Sequence, residues 1–178
     1  MNGPDSPLDL LEANLEALSE RIPDLPLTGM LLGRLIQHLG REMSAVLEHR
    51  IRPFGLAEAE FRVLMALFSQ PEGVAHPSDL CVRASQSPAN MSRISDALVS
   101  RDLITRVLSS RDRRRMVLRI TEQGEELVRQ LVPQLSKQLR ELLTDFPAQE
   151  QRELVAQLKR LGMKLSEATS EDSSERAL

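Results

Sequence analysis

SQSPANMSRISDALVSRDLITRVLSSRDRRRMVLRITEQG, residues Ser85 to Gly124, changes its periodicity midway, and the order of the two halves sets the fold. Ser85, Gln86 and Ser87 read as a three-residue turn. Ser87 is suited to an N-cap and Pro88 to the first position of a helix, because proline's missing N–H has no intrahelical partner there anyway. From Pro88 to about Arg101, a step of 100° per residue gathers Met91, Ile94 and Leu98 on one face. It puts Ala89, Ser92, Arg93, Asp96 and Ser100 on the other. The period then shortens. Leu103–Leu108 (LITRVL) and Met116–Ile120 (MVLRI) are short, aliphatic and β-branched, and they flank a polar segment, which predicts a β-hairpin. Its tip carries Arg111, Arg113, Arg114 and Arg115 around Asp112. Thr121 fits the N-cap of a following helix, with Glu122, Glu125 and Glu126 at the positive end of its dipole.

Upstream of this stretch, Pro77 opens a short helix (PSDLCVRA) whose Leu80, Cys81 and Ala84 face one way. A short helix, a tight turn and a second helix make a helix-turn-helix. With a basic hairpin behind it, the pattern is a winged helix-turn-helix. The outer face of the second helix is short and polar near its N-terminus, as a helix entering a major groove must be. Its candidate contacts are Ser87, Ala89, Asn90, Ser92 and Arg93. Serine and asparagine donate and accept, and arginine takes a phosphate or a guanine edge. The hairpin adds Arg111, Asp112, Arg113, Arg114 and Arg115. The competing readings are an ordinary polar surface helix and a solvated turn.

Charge distribution favours the nucleic-acid reading. Between Pro77 and Thr121 there are nine arginines and four aspartates, a net +5 with no lysine; the remainder holds 14 cations against 22 acids, a net −8. A basic segment in an acidic frame is the electrostatic footprint of a phosphate-binding module. The use of arginine alone points the same way, because the planar guanidinium fork matches phosphates and guanine edges.

The flanks are helical. Ser6–Arg21 places Leu8, Leu11, Leu15 and Leu18 on one face, and Pro23 and Pro26 cut it off. Leu27–Ile51 is a long amphipathic helix with apolar positions 27, 31, 35, 39, 43, 46 and 47, despite Gly29, Gly33 and Gly40. A further helix spans Ala57–Gln70, with Phe61, Leu64, Met65 and Phe68 at helical spacing. Beyond Thr121, Leu127, Leu131, Leu135, Leu139 and Leu142 form an i, i+4 stripe that Pro133 should kink. Pro147 opens a last helix with Leu154, Leu158, Leu161 and Leu165. These stripes exceed what a wing domain buries, so the long helix and the last two are expected to interdigitate with a second copy. A closed monomeric bundle is the alternative.

The fold class is therefore mainly α with a small β-hairpin wing. Its parts are an N-terminal extension (1–26), a helical dimerisation region (27–55 and 122–168), a winged helix-turn-helix (56–121) and a disordered, Ser/Glu-rich tail (169–178). At 178 residues and 41% hydrophobic the chain holds a core, dominated by leucine because it has four Phe and no Trp or Tyr. No apolar run reaches the roughly 18 residues of a membrane span, and the N-terminus lacks the basic start of a signal peptide, so a cytoplasmic location is expected. The lone Cys81 excludes an internal disulfide.

Three stretches resemble the MarR family of winged helix-turn-helix transcriptional regulators: Gly55–Leu67 (GLAEAEFRVLMAL), Ser85–Ile104, and the D-x-R … L-x-I-T-x-x-G pattern of Asp112–Gly124. Together they lie within about Leu31–Leu135. LGRLIQHLGREM, HPSDLC and SRDRRRMVLRITEQGEELVRQLVP further resemble its EmrR/MprA-like group of multidrug-efflux repressors. The resemblance implies a homodimer on a pseudo-palindromic operator, Arg114 as the wing contact oriented by Asp112, and Arg93 as the recognition-helix arginine. It also implies release from DNA by a small hydrophobic or phenolic effector. Leu35, His38, Leu39, Phe61, Met65 and Phe68 are the candidate pocket residues, although leucine and phenylalanine at this spacing are more often plain core.

Enzymatic readings find little support. His38, His49, His76 and Cys81 lack metal-ligand spacing, and there is no glycine-rich phosphate loop or nucleophile elbow, so no cofactor is expected. Two alternatives to a ligand-responsive repressor stay open: a winged-helix module for protein assembly, and a redox-sensing regulator using Cys81. Cys81 reads more readily as a small buried apolar residue.

Overall fold

A computed structural model describes the backbone of residues 6–108 and 116–175, and the side chains through Thr169. Among the described residues, seven helices and three strands follow in the order α1 (Pro7–Ser19), α2 (Leu27–Ile51), α3 (Glu58–Phe68), β1 (Val74–Ala75), α4 (Pro77–Arg83), α5 (Pro88–Val99), β2 (Ile104–Leu108), β3 (Met116–Ile120), α6 (Glu122–Leu142) and α7 (Ala148–Glu175). Single 3-10 turns at Arg52–Phe54 and Pro71–Gly73 join α2 to α3 and α3 to β1. The chain is mainly helical with a small sheet, a winged helix-turn-helix, as the periodicities require.

The chain divides at Pro133 into two compact units. In the first, α3, α4 and α5 pack on one another, and α3 and α5 pack on an antiparallel sheet of strand order β1-β3-β2. β2 and β3 pair from Ile104↔Ile120 to Leu108↔Met116, the hairpin that the sequence predicts. β1 is new. Its two residues pair as Val74↔Arg119 and Ala75↔Leu118, and a segment that short has no periodicity to read. The core is formed by Val63, Leu64 and Leu67 of α3, Leu80 of α4, Met91, Ile94 and Leu98 of α5, Ile104 and Leu118 of the hairpin, and Val128 and Leu131 of α6. Each side chain of this size contributes about 1.5–3 kcal/mol on burial.

Local chemistry sets the ends of the elements. In α1, Ser6 and Asp9 form a reciprocal capping box; the helix packs on α2 through its one buried residue, Leu15. At the sheet-to-helix corner, Gly124 N–H donates to Thr121 Oγ1 (3.0 Å), which confirms Thr121 as the cap of α6. The Thr121 hydroxyl in turn donates to the Asp102 carbonyl (2.7 Å). A Cβ at Gly124 would overlap the Leu103 carbonyl oxygen and the Ile120 side chain. The glycine of the L-x-I-T-x-x-G pattern is therefore a packing requirement: α6 approaches the strand too closely for any side chain.

In the second unit, α6 continues past Pro133 as one helix to Leu142. Gln151 Nε2 donates to the Phe146 carbonyl (2.8 Å) across the start of α7. Composition assigns 169–178 to a disordered tail, whereas α7 runs on to Glu175. After Gly162 no proline or glycine intervenes, and extending an existing helix costs far less than nucleating one. Among the described residues no helix is long and apolar enough to cross a membrane.

Candidate nucleic-acid interface

The second helix of the motif, α5, begins as its sequence demands. Ser87 is extended, and its Oγ accepts from Asn90 N–H (3.2 Å); Pro88 is the first helical residue. The preceding turn is held by Gln86 N–H donating to the Cys81 carbonyl (2.8 Å), with Ser85 in the left-handed region at φ 53°. That conformation is uncommon for a residue with a Cβ. Met91, Ile94, Ser95 and Leu98 are buried, while Ala89, Ser92, Arg93, Asp96 and Ser100 are all exposed. The division between faces is the one that 100° per residue requires. Ser95, the one polar member of the buried face, donates to the Met91 carbonyl (2.7 Å).

Of the candidate contacts on this helix, Ser87, Ala89, Ser92 and Arg93 stand in solvent, and Asn90 is half-buried. Asn90 donates through Nδ2 to Gln86 Oε1 and accepts at Oδ1 from Arg93 (2.7 Å), while Gln86 Nε2 donates to the Ala84 carbonyl (3.0 Å). The tip residues Arg111, Asp112, Arg113, Arg114 and Arg115 lie outside the described residues. The strand below the tip is tied to the helix, because the Arg106 guanidinium of β2 pairs with Asp96 of α5.

The arginines of the basic segment do not all face outward to a partner. Arg101 donates to the Gly55 carbonyl (2.6 Å) and the Phe54 carbonyl (2.8 Å), and lies 3.6 Å from Glu60. It closes the end of α2 against the start of α3, so its charge serves the fold. Its partners are 46 and 47 residues away in the chain, beyond the reach of any local signal. Arg93, Arg106 and Arg119 are exposed on the motif.

Among the described residues, two of the clefts beside the motif bear on the candidate residues. One, of about 590 Å³, lies between α2, α3 and α4 and is lined by Leu47, Phe61, Met65 and Ala66, with Arg62 and Arg83 at its rim. It brings together Phe61 and Met65 of the six candidate pocket residues. Leu35, His38, Leu39 and Phe68 do not line it. Leu35 and His38 are half-buried and Leu39 is exposed. Phe68 sits beneath the Arg129 guanidinium, 5.6 Å from the ring centre, a cation–π contact. The second cleft, of about 430 Å³, opens under α5 between Cys81, Met91, Ser92, Ser95, Arg106 and Leu118. Cys81 is thus a half-buried wall residue, where the sequence favours a fully buried one. The short α4 covers only part of it. Among the described residues no cluster of His, Cys, Asp and Glu is placed to hold a metal ion.

Known proteins share both this sequence and this geometry. The MarR family profile matches residues 54–115, from the turn before α3 to the residue preceding β3. The transcriptional repressor MprA of Escherichia coli K12 is 33% identical over 153 residues, covering 84% of this chain and 85% of its own. Among solved structures, AbsC of Streptomyces coelicolor, a MarR family transcriptional regulator, superposes with a TM-score of 0.72 at 25% identity, over 80% of this chain and 97% of AbsC. The S. aureus MepR–DNA complex shares the fold, with a TM-score of 0.69 at 18% identity over 75% of this chain and 97% of that one. A capped α5 with one polar face, a hairpin behind it and a close-packed glycine at the hairpin-to-helix corner, together with an identity that runs through most of both chains, place this protein in the MarR family of transcriptional regulators.

Proposed function

We propose that the chain is a cytoplasmic repressor that binds double-stranded DNA as a homodimer, with α5 in the major groove of each half of a pseudo-palindromic operator. The observation that carries this reading is the clean separation on α5: four residues buried in the core and a short, exposed polar face beginning at the cap. A helix so anchored presents its first turns to a groove without losing its packing. Arg111, Arg113, Arg114 and Arg115 on the hairpin supply backbone or minor-groove contacts, with Asp112 orienting Arg114. Those contacts position the protein, and the helix chooses the sequence.

Dimerisation supplies what one module lacks. Two recognition helices must stand one helical turn apart, roughly 34–36 Å, to read both half-sites. Leu32, Ile36, Leu39 and Met43 of α2, and Leu154, Leu158 and Leu165 of α7, are exposed apolar residues in the single chain, and a second copy is their proposed cover. The regulated genes are proposed to be a multidrug-efflux operon, in line with the kinship to MprA. The effector is a small hydrophobic or phenolic molecule. A molecule in the cleft under α5, or in the one between α2, α3 and α4, would shift the helix or its spacing, and release requires that it prefer a spacing other than the one DNA selects.

The test is fluorescence anisotropy on the DNA upstream of the chain's own coding sequence, across a salt series. Affinity should fall steeply with ionic strength, and Arg114→Ala should weaken binding to all sequences alike while reducing the salt slope by about 1. Salt-independent or absent binding would instead favour a winged-helix protein-assembly module.

A further inference from the structure

We infer that Gln86 and Asn90 are positioning residues that hold the Arg93 guanidinium for base reading, and that Asn90 itself does not read a base. The inference rests on the DNA-binding reading above and narrows it. An asparagine that recognises adenine turns its Oδ1 and Nδ2 together toward one base edge. Here the two ends of the Asn90 amide serve different protein partners: Nδ2 donates back to Gln86, and Oδ1 accepts from Arg93 at 2.7 Å. Gln86 is itself fixed, by its backbone N–H on the Cys81 carbonyl (2.8 Å) and its Nε2 on the Ala84 carbonyl (3.0 Å). Asn90 is further held by its own N–H on the Ser87 hydroxyl. The result is a chain of side-chain hydrogen bonds that starts at the end of α4, crosses the turn and ends on an exposed arginine of α5.

The value of such a chain is preorganisation. A free arginine has many rotamers, and ordering them on binding costs affinity; an arginine already fixed by an acceptor loses less. Of its guanidinium nitrogens, one is used by Asn90, and the rest of the fork is left for a guanine edge or phosphate. The chain also joins the helix-turn-helix turn to the reading side chain, so a shift of α4 against α5 moves Arg93.

Duplexes enriched by the wild-type protein from a randomised library, and single base-pair substitutions of them, test this. Arg93→Ala should flatten the preference at one base pair per half-site by about tenfold or more, the usual worth of a good arginine–guanine pair. Asn90→Ala should flatten the same base pair, by a smaller factor, and Gln86→Ala likewise. The Asn90→Ala/Arg93→Ala double variant should be no worse than Arg93→Ala alone, because the two act as one unit. Far-UV helicity should be unchanged in the Asn90 and Gln86 variants, since Ser87 still caps α5. An Asn90→Ala effect at a different base pair, or one that adds to Arg93→Ala, overturns the inference. A uniform loss across all sequences, or no effect of Arg93→Ala, overturns it as well. If the wild-type protein enriches no sequence, the operator reading falls and the inference with it. Enrichment with additive variants removes the inference alone.

Discussion

Helices α5 and α7 are both amphipathic, yet they stand in opposite relation to their own chain. Four of the twelve residues of α5 are buried, whereas no described side chain of the much longer α7 is, and Leu154, Val155, Leu158, Met163 and Leu165 are 44–60% exposed. The difference teaches that one apolar face is buried within a single copy and the other stays exposed there. α5 is fixed by the fold because its exposed side has to be precise. α7 carries exposed apolar surface, which the proposed second copy would cover; large exposed apolar patches often mark interaction sites.

The strongest way to break the comparison is at the buried end. Leu98→Ala removes a fully buried α5 side chain and should cost about 2–5 kcal/mol in urea unfolding; a loss under 1 kcal/mol would mean that the core does not hold α5. At the exposed end, Leu154→Glu with Leu158→Glu should weaken self-association by more than about 100-fold, since each leucine contributes about 1.5–3 kcal/mol when covered. Sedimentation velocity reads this directly. A wild-type protein that is monomeric at micromolar concentration would leave α7 without the proposed partner. The smallest effect is expected at an exposed ion pair on α5. Asp96→Asn breaks the pair with Arg106, but both side chains are well exposed, at 66% and 42%, so stability should change by less than about 1 kcal/mol.

What the sequence makes legible follows the reach of its signals. The start of α5, its Ser87 cap, its two faces and the two strands of the hairpin are written in patterns a few residues long, and the structure has them close to the reading, with α5 ending at Val99 rather than Arg101 and the first strand starting at Ile104 rather than Leu103. β1 is not legible, because two residues acquire their strand character only by pairing with Arg119 and Leu118. Arg101 counts as an interface cation in any tally of charge, and only the fold reveals that it is spent on Phe54 and Gly55. Gln86 shows no sign of importance as the middle of a turn. Its role depends on the side-chain geometry of Asn90, which no periodicity encodes. The helical run to Glu175 escapes a reading from composition because low hydrophobicity describes what a segment cannot bury, and a helix already begun needs only the absence of a breaker.

The central claim, that two copies of this chain read one operator through paired α5 helices, is tested most directly by a hydroxyl-radical footprint on a duplex enriched by the wild-type protein. The expected result is two equivalent protected patches on one face of the duplex, centred 10–10.5 base pairs, or a multiple of that, apart. A single patch, or protection without a repeat of the helical turn, would contradict it.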